Sequence, residues 1–426
     1  MQKIVCFGPG PRFKGGIANY NTSLAKAFDK ISDTEVHIVS WTQQYPAIIP
    51  RDFIDRKSRK DQLEGTDIKV HYVTNYNNPI SWEKTVSVIR EIKPDMVIFQ
   101  WAIAVQGIPL GYIARRLTKS SITKVVFDLH FVIQKEGSSL DMRFTSFGIK
   151  NANSYVVHAQ QTADQLETLF PKQGFRIVND DNSLVKGKEK KILRLFHPIY
   201  DMFRSDPLFD VGKHKQALGL KKHVFLFFGF IRKYKGLHQA IEAFARLKKE
   251  RDDISLLIVG ESFWNTLDDK KLATRIKSAF FGVAKKIFLK KQDDEKNYNP
   301  LALIDAFELG DSVVLVNEFV PNEEVNKYFQ VSDNLVLFYL TATPSGVESI
   351  GYNFKMPLIA TNVGHFPETV KDGFNGYLAG DRNIESMKDA MLKAIEQPID
   401  RKNVAKTSEN MSWEKYANAI LTHLRD

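Results

Sequence analysis

The sequence predicts an α/β protein with two doubly wound parallel sheets in tandem. In both halves of the chain, short apolar runs alternate with stretches whose apolar residues follow helical spacing, which is the pattern of a parallel sheet. The length of 426 residues is too great for a single hydrophobic core. A polar stretch at 172–191 is predicted to be a loop close to the joint between the halves. We therefore expect two domains, with the carboxyl ends of both sheets facing a central ligand-binding cleft.

The first half begins with a strand and a glycine-rich loop. The loop, GPGPRFKGG, opens onto a helix, so free backbone N–H groups lie where a phosphate or a sugar can approach. Phe13 stands where the dinucleotide-binding fingerprint needs its third glycine, which argues against a nicotinamide-dependent dehydrogenase. The domain is predicted to end near Pro198. Apolar runs predict its strands at residues 3–7, 36–41, 96–100, 125–129 and 155–157.

The second half opens with a basic turn between a strand and a helix. An apolar run at 224–228 predicts the strand, and a helical pattern begins after Gly236. Between them, Arg232, Lys233 and Lys235 place positive charge at the carboxyl end of a strand, where open α/β sheets bind ligands. Taken alone, this turn fits both an anion-binding site and a solvated basic loop. Further strands are predicted at 254–259, 313–316, 335–339 and 358–361.

Composition and charge narrow the class of protein. The chain has 43% hydrophobic and 26% charged residues, which is typical of a soluble globular protein. Its start shows no cleavable signal pattern, so a cytoplasmic location is expected. The single cysteine, Cys6, lies in an apolar strand and is interpreted as a core residue. The net charge of +10 favours acidic partners, but no nucleic-acid-binding signature accompanies it, so no nucleic-acid partner is predicted.

The segment at 270–291 departs from the sheet pattern. Its apolar residues lie on one helical face and are surrounded by lysine and arginine, with no acidic residue. Such a basic amphipathic helix can lie on an anionic membrane, which would place the protein peripherally at the inner face of the membrane. The alternative, which we favour, is a helix that packs on its own sheet and leaves its lysines in solvent.

Several motifs occur in the order known from one enzyme family. They are GGIANYNTSLAKAF, FFGFIRKYKGLHQAIEAF, NEFVPNEEVNKYFQVSD and TPSGVESIGYNFKMPLIATNVGHFPETVKDGFNGYL. Together they resemble the retaining nucleotide-sugar glycosyltransferases of family four, which have the GT-B fold of two Rossmann-like domains. The stretches TQQYPAIIP, LHFVIQKE, VVHAQQTADQL and FHPIYDMF are similar to a bacterial branch of that family. Each motif alone is weak, whereas the ordered set is specific.

The resemblance implies a catalytic group of three residues. His130, at the end of a predicted strand, matches the histidine that contacts the donor sugar close to the reacting carbon. Arg232 and Lys235 match the basic pair that binds the diphosphate. His158 and His197 also match family positions, and we interpret both as structural hydrogen-bonding residues.

The resemblance also implies which backbone segments bind the donor. Gly15 and Gly16 match the glycine loop near the donor phosphates and the acceptor. A second segment matches a loop and helix start whose N–H groups face the sugar and the phosphate, and it consists of Ser345, Gly346 and Val347.

One departure from the family concerns the nucleotide ribose. Most members carry two glutamates eight residues apart before a stretch of small residues and proline, the second of which binds the ribose, and here Ala342 and Ile350 occupy those positions. Neither side chain can accept a hydrogen bond from a ribose hydroxyl. Glu348 lies two residues before Ile350 and is the candidate substitute, although two residues on a helix correspond to a rotation of roughly 200°.

The resemblance therefore implies a metal-independent, retaining glycosyltransferase that uses a UDP- or GDP-sugar and no further cofactor. The acceptor-side domain is expected at 1–198, with a C-terminal helix at 411–426 crossing back onto it, and the donor domain at 199–410. The expected acceptor is a glycan or a lipid-linked sugar in bacterial cell-surface polysaccharide synthesis. Two alternatives stay open: a non-catalytic GT-B subunit that binds sugars or protein partners, and a GT-B epimerase or phosphorylase.

Overall fold

A parallel β-sheet forms the centre of each half of the chain. The computed structural model describes residues 1–45, 53–119, 123–133, 139–178, 189–262, 298–344 and 346–424. These residues divide into two units, one of 1–198 with 412–424 and one of 199–262 with 298–411, apart from the gaps. The predicted amphipathic segment at 270–291 and the predicted site residue Ser345 lie outside the described residues.

The sheet of the first unit has eight strands. They are β1 (Gln2–Phe7), β2 (Thr34–Gln43), β3 (Lys69–Asn75), β4 (Met96–Trp101), β5 (Lys124–Leu129), β6 (Ser154–Val157), β7 (Phe175–Val178) and β8 (Lys190–Arg194). The helices between them are α1 (Gly16–Asp29), α2 (Pro79–Ile92), α3 (Gly107–Thr118), α4 (Ser139–Ile149) and α5 (Gln160–Leu169). The strand order is β3-β2-β1-β4-β5-β6-β8-β7, so the winding direction reverses between β1 and β4. Ligands of such sheets bind at the carboxyl ends beside this reversal.

The sheet of the second unit has six strands. They are β9 (His223–Phe228), β10 (Ile254–Val259), β11 (Val313–Val316), β12 (Asn334–Leu337), β13 (Leu358–Thr361) and β14 (Gly376–Ala379). The helices are α6 (Val211–Ala217), α7 (Leu237–Lys248), α8 (Ala302–Ala306), α9 (Val325–Gln330), α10 (Gly346–Asn353), α11 (Phe366–Thr369), α12 (Ile384–Glu396) and α13 (Arg401–Ser408). The order β11-β10-β9-β12-β13-β14 reverses between β9 and β12. The doubly wound architecture predicted for both halves is confirmed.

The central strands are those that the sequence predicts, and the missed ones lie at or near the sheet edges. Every residue of β4 and of β10 is buried, and both strands are apolar except for one polar residue each, Gln100 and Ser255. The stretch at 172–191 was expected to be a loop, but it contains β7 and the first residues of β8. Three of the four residues in β7 are only partly buried, because it is an edge strand. Such a short, mixed strand carries little hydrophobic signal.

The last helix, α14 (Trp413–Leu424), belongs to the first unit. It packs against α1 and β8. The residues that the sequence places on one helical face are all buried, namely Trp413, Tyr416, Ile420 and Leu424. Because packing on the first unit removes this apolar face from water, it stabilises the helix in its place although the helix lies at the end of the chain.

Glycines allow α3 and α4 to approach closely, and an alanine at Gly107 is expected to destabilise the first unit. A Cβ atom on Gly107 would lie 2.2 Å from the carbonyl oxygen of Phe144, and one on Gly111 would lie 2.5 Å from that of Phe147. The backbones would have to separate, so we expect Gly107→Ala to lower the free energy of unfolding by about 1–3 kcal/mol in urea titrations. Gly212 is the control, because it is also helical and a Cβ there meets nothing closer than 3.5 Å. Equal midpoints for both variants would contradict this reading of the contact.

Candidate functional site

His130 lies directly after β5, near the reversal point of the first sheet. Its ring is buried, and Nε2 is 2.9 Å from Oε1 of Gln100, the residue before the last in β4. The ring also meets the edge of Tyr20 at a centroid distance of 4.7 Å. Burial lowers the pKa of His130 to about 4. The imidazole is therefore neutral at physiological pH and can act as one donor and one acceptor.

Asp128 is the hydrogen-bonding centre behind His130. One carboxylate oxygen accepts from Nε2 of His158 at 2.9 Å. The other accepts from the hydroxyls of Tyr20 at 2.9 Å and Tyr416 at 3.2 Å, and Nε2 of Gln100 lies 3.5 Å away. Burial acts to raise the pKa of Asp128, but His158 and the other donors hold it below its ordinary value. The carboxylate is thus ionised and accepts hydrogen bonds only.

His158 and His197 complete this aromatic and polar cluster. The His158 ring lies 5.4 Å from that of His130 and the same distance from that of His197. Nδ1 of His197 donates to the carbonyl of Pro198 at 2.8 Å, and burial holds the pKa of His197 well below its ordinary value. Both histidines bond to protein groups, which agrees with the structural interpretation of them.

The glycine loop of the first unit ends at the start of α1. Gly15 has a φ of 103°, which favours glycine, and a Cβ there would meet no atom within 4 Å. The loop before it is held by the N–H of Gly10, which donates to Oγ of Ser40 at 2.8 Å, and by Arg12, which lies 3.7 Å over the ring of Tyr72. The loop thus offers open space beside a helix N-terminus at the reversal point of the sheet.

In the second unit, Lys235 lies buried in the turn between β9 and α7. Gly229 makes room for it, because a Cβ on Gly229 would lie 2.9 Å from the Lys235 ammonium. Gly236, with a φ of 65°, lets the turn pack on the residue that follows β12, since a Cβ there would lie 1.8 Å from the carbonyl oxygen of Phe338. Burial, and next the charge of Arg232, lower the pKa of Lys235 to about 7. A buried cation beside a second cation is poised to accept an anionic ligand.

The start of α10 adjoins this basic turn. A Cβ atom on Gly229 would lie 3.3 Å from Cγ2 of Val347, so the first turn of α10 and Lys235 flank the same glycine. Gly346 is packed on Tyr200, whose ring lies 2.8 Å from the position of an added Cβ. The structure therefore brings together Lys235, Val347 and the N-terminus of α10, as expected for residues around the reversal point between β9 and β12.

Glu348 faces the interior of the second unit. Its two oxygens accept from Nε2 of His365 and from the hydroxyl of Thr369, each at 2.5 Å, and all three residues are buried. Ala342 and Ile350, at the family's glutamate positions, are buried as well. A donor contact by Glu348 stays a prediction, and the geometry favours an internal role for its carboxylate.

Sequence reasoning missed several residues of the cluster around Asp128 and His130. The only sequence feature that could have indicated Gln100 is its position near the end of a predicted strand. For Tyr20 it is the position within the glycine-loop motif. Tyr416 is separated from Asp128 by 288 positions, so no local pattern could join them.

The described residues contain no cluster of three or more His, Cys, Asp or Glu side chains that could hold a metal ion. Within the same ranges, every helix is too short or too polar to cross a membrane.

Most of the second unit matches one known protein family. Residues 210–411 match the family model for glycosyl transferases group 1. This stretch is a group 1 glycosyltransferase domain. It contains the basic turn with Arg232 and Lys235 and the whole of α10. The predicted relationship to GT-B glycosyltransferases is thereby confirmed. No curated protein sequence matches the chain.

The similarity to solved structures extends over the whole length of the chain. Anabaena Alr3699/HepE in complex with UDP is 15% identical, with a TM-score of 0.65, over 100% of this chain and 99% of that one. Sucrose-phosphate synthase from Thermosynechococcus elongatus is 14% identical, with a TM-score of 0.65, over 100% and 98%. The lipopolysaccharide outer core galactosyltransferase WaaB is 14% identical, with a TM-score of 0.58, over 99% of both chains. The chain thus has the GT-B fold of two Rossmann-like domains, and the group 1 glycosyltransferase domain is the second of them.

Proposed function

We propose that the protein transfers a sugar from a nucleoside diphosphate to a glycan or lipid-linked acceptor, with retention of the anomeric configuration and without a metal ion. The basic turn of the group 1 domain carries this proposal. It combines Lys235, Arg232 and the N-terminus of α10 around Gly229. A pathway of cell-surface polysaccharide synthesis, at the cytoplasmic side, is the setting that we propose for it.

The chemistry of the reaction explains why such a turn is useful. When the bond between the sugar and the diphosphate breaks, negative charge grows on the leaving phosphate oxygen. Two fixed cations and the N–H groups of a helix start stabilise that charge in the transition state. Protein cations then supply the neutralisation that a divalent ion supplies elsewhere. In the first unit, the neutral imidazole of His130 is suited to a hydroxyl group of the transferred sugar.

A nucleotide panel tests the proposed donor class. Thermal shifts are measured with UDP, GDP, ADP, TDP and their common sugar conjugates, and UDP is the first candidate because HepE is solved with UDP and UDP-glucose. A shift with one nucleotide in the wild type that is lost in Lys235→Ala supports the proposal. No shift with any nucleotide at millimolar concentration would overturn it. The proton NMR spectrum of the product then reports retention, and added EDTA tests metal independence.

Lys235 is expected to make donor affinity depend on pH. The pKa of Lys235 is about 7 in the free protein, whereas a bound diphosphate favours the charged ammonium. As the pH rises above about 7, less of the free protein holds this proton, and binding must take one up. The affinity for UDP-glucose then falls by up to about tenfold per pH unit. Calorimetry between about pH 7 and pH 8.5, in buffers with different ionisation enthalpies, measures the affinity and the proton uptake.

Lys235→Arg is the control for this pH dependence. Because guanidinium stays protonated, this variant is expected to bind with an affinity that does not change over the same range. A wild-type affinity that is constant with pH, without proton uptake, would contradict the expectation.

A second candidate, a non-catalytic sugar-binding subunit, rests on the ribose positions. Ala342 and Ile350 offer no acceptor, and both oxygens of Glu348 are engaged by His365 and Thr369. Hydrolysis of UDP-glucose without acceptor, measured by release of UDP, distinguishes the two candidates. Slow hydrolysis that is lost in Lys235→Ala excludes the non-catalytic subunit. Binding without any hydrolysis or transfer favours it.

A further inference from the structure

Gln100 links the buried carboxylate of the first unit to the histidine of the proposed sugar site. Its Nε2 lies 3.5 Å from Asp128, and its Oε1 lies 2.9 Å from Nε2 of His130. The amide is buried, so both of its ends depend on these two residues. No role for Gln100 follows from the glycosyltransferase motifs.

The ionised carboxylate decides which way the amide faces. Asp128 accepts hydrogen bonds and donates none, so the NH₂ group of Gln100 must lie on its side. The opposite orientation would place two oxygen acceptors against each other in a buried position, which is costly. The carbonyl oxygen of Gln100 is therefore left to face His130.

The amide in turn decides which nitrogen of His130 carries the proton. An amide oxygen only accepts, so Nε2 of His130 must be the donor in their 2.9 Å hydrogen bond. In a neutral imidazole the other nitrogen, Nδ1, is then an acceptor. Among the described residues, none forms a hydrogen bond with Nδ1. That atom is left for a donor group on a ligand.

Gly8 and Tyr20 hold this arrangement in place. A Cβ atom on Gly8 would lie 2.9 Å from Cγ of Gln100, so the first glycine of the loop leaves room for the side chain. Tyr20 contacts the ring of His130 edge-on and is itself fixed by its hydrogen bond to Asp128. The chain from Asp128 through Gln100 to His130 is thus confined to one set of proton positions.

We propose that Gln100 is a positioning residue that fixes His130 as the Nε2–H tautomer, so that Nδ1 accepts a hydrogen bond from a hydroxyl group of the donor sugar. This inference rests on the proposed function for the identity of the ligand. Gln100 acts through His130 and does not itself touch the sugar.

The tautomer is measured directly by long-range nitrogen–proton NMR of the protein labelled with ¹⁵N-histidine. The His130 signals are assigned by their loss in His130→Asn. We expect the wild type to show Nε2–H at His130, and Gln100→Met, which keeps the length of the side chain, to show a mixture of tautomers. Gln106→Met is the matched control, since Gln106 is equally buried but donates to the backbone carbonyl of Gln44.

Binding of UDP-glucose and of UDP supplies the second measurement. We expect Gln100→Met to weaken UDP-glucose about tenfold and to leave UDP unchanged, because only the sugar contact depends on Nδ1. A wild-type Nδ1–H tautomer, an unchanged tautomer in Gln100→Met, or equal losses for UDP and UDP-glucose would each overturn the proposal. If neither compound binds the wild type, the proposed function fails for uridine donors, while the wild-type tautomer still decides the role of Gln100.

Discussion

Replacing Lys235 by alanine is expected to lower turnover on a nucleoside-diphosphate sugar by about two orders of magnitude, which corresponds to a loss of about 3 kcal/mol of transition-state stabilisation. Lys235 is buried beside Gly229 and Val347, so its amino group is held in place before the donor arrives, and the bound diphosphate favours its charged form. A preorganised group of this kind, once protonated, stabilises the leaving phosphate without reorganisation. Steady-state kinetics on the donor identified by the nucleotide panel measures the effect.

Lys233→Ala is the control for this variant. It removes a cation from the same short 3₁₀ turn, but Lys233 is less buried than Lys235. We expect a change in turnover of no more than a fewfold, since a partly solvated charge is screened. Near-normal turnover by Lys235→Ala, or an equal loss in both variants, would refute the assignment of Lys235 to the leaving group.

Removing the buried carboxylate of Asp128 is expected to produce the largest loss of stability. Asp128→Ala leaves buried donors of His158, Tyr20 and Tyr416 without their acceptor. Breaking a buried charged network in this way costs about 3–5 kcal/mol. Urea unfolding measures the loss. Hydrogen exchange followed by mass spectrometry should show faster exchange in α14, because Tyr416 anchors that helix to Asp128.

Asp253→Ala provides the comparison for an exposed carboxylate. Asp253 pairs with Arg251 at 2.9 Å, and its side chain is 36% exposed. Such a pair contributes about 0–1 kcal/mol, and α14 should exchange as in the wild type. If Asp128→Ala unfolds at no lower urea concentration than Asp253→Ala, the buried hydrogen-bond network of Asp128 does not stabilise the first unit.

Residues of the candidate site could be predicted where their chemistry is local in sequence. Arg232 and Lys235 follow a buried strand within one short turn, and His130 closes another strand. Period and burial mark these strand ends, so the pattern predicts their place at the carboxyl edge, whereas the role of His130 at the donor sugar is implied only by the family resemblance. The edge strand β7 was missed because its residues are only partly buried.

Glu348 and Gln100 show where sequence reasoning stops. The motif offers Glu348 as a replacement for the ribose-binding glutamate, yet His365 and Thr369, which lie 17 and 21 residues further on, take both of its oxygens. Gln100 acquires its position between Asp128 and His130 only through the pairing of β4 with β5, which sets Gln100 opposite Asp128. Side-chain partners of this kind are decided by sheet register and not by nearby residues.

The sequence by itself determined the two doubly wound sheets, the basic turn and the relationship to GT-B glycosyltransferases, because strand periodicity, helix periodicity and ordered motifs are properties of contiguous residues. The tertiary structure alone decided that Gly229 makes room for a buried Lys235, that α14 closes the network of Asp128, and that the carboxylate of Glu348 turns inward. These features arise where residues distant in the chain share one buried volume, in which each polar group must find its partner.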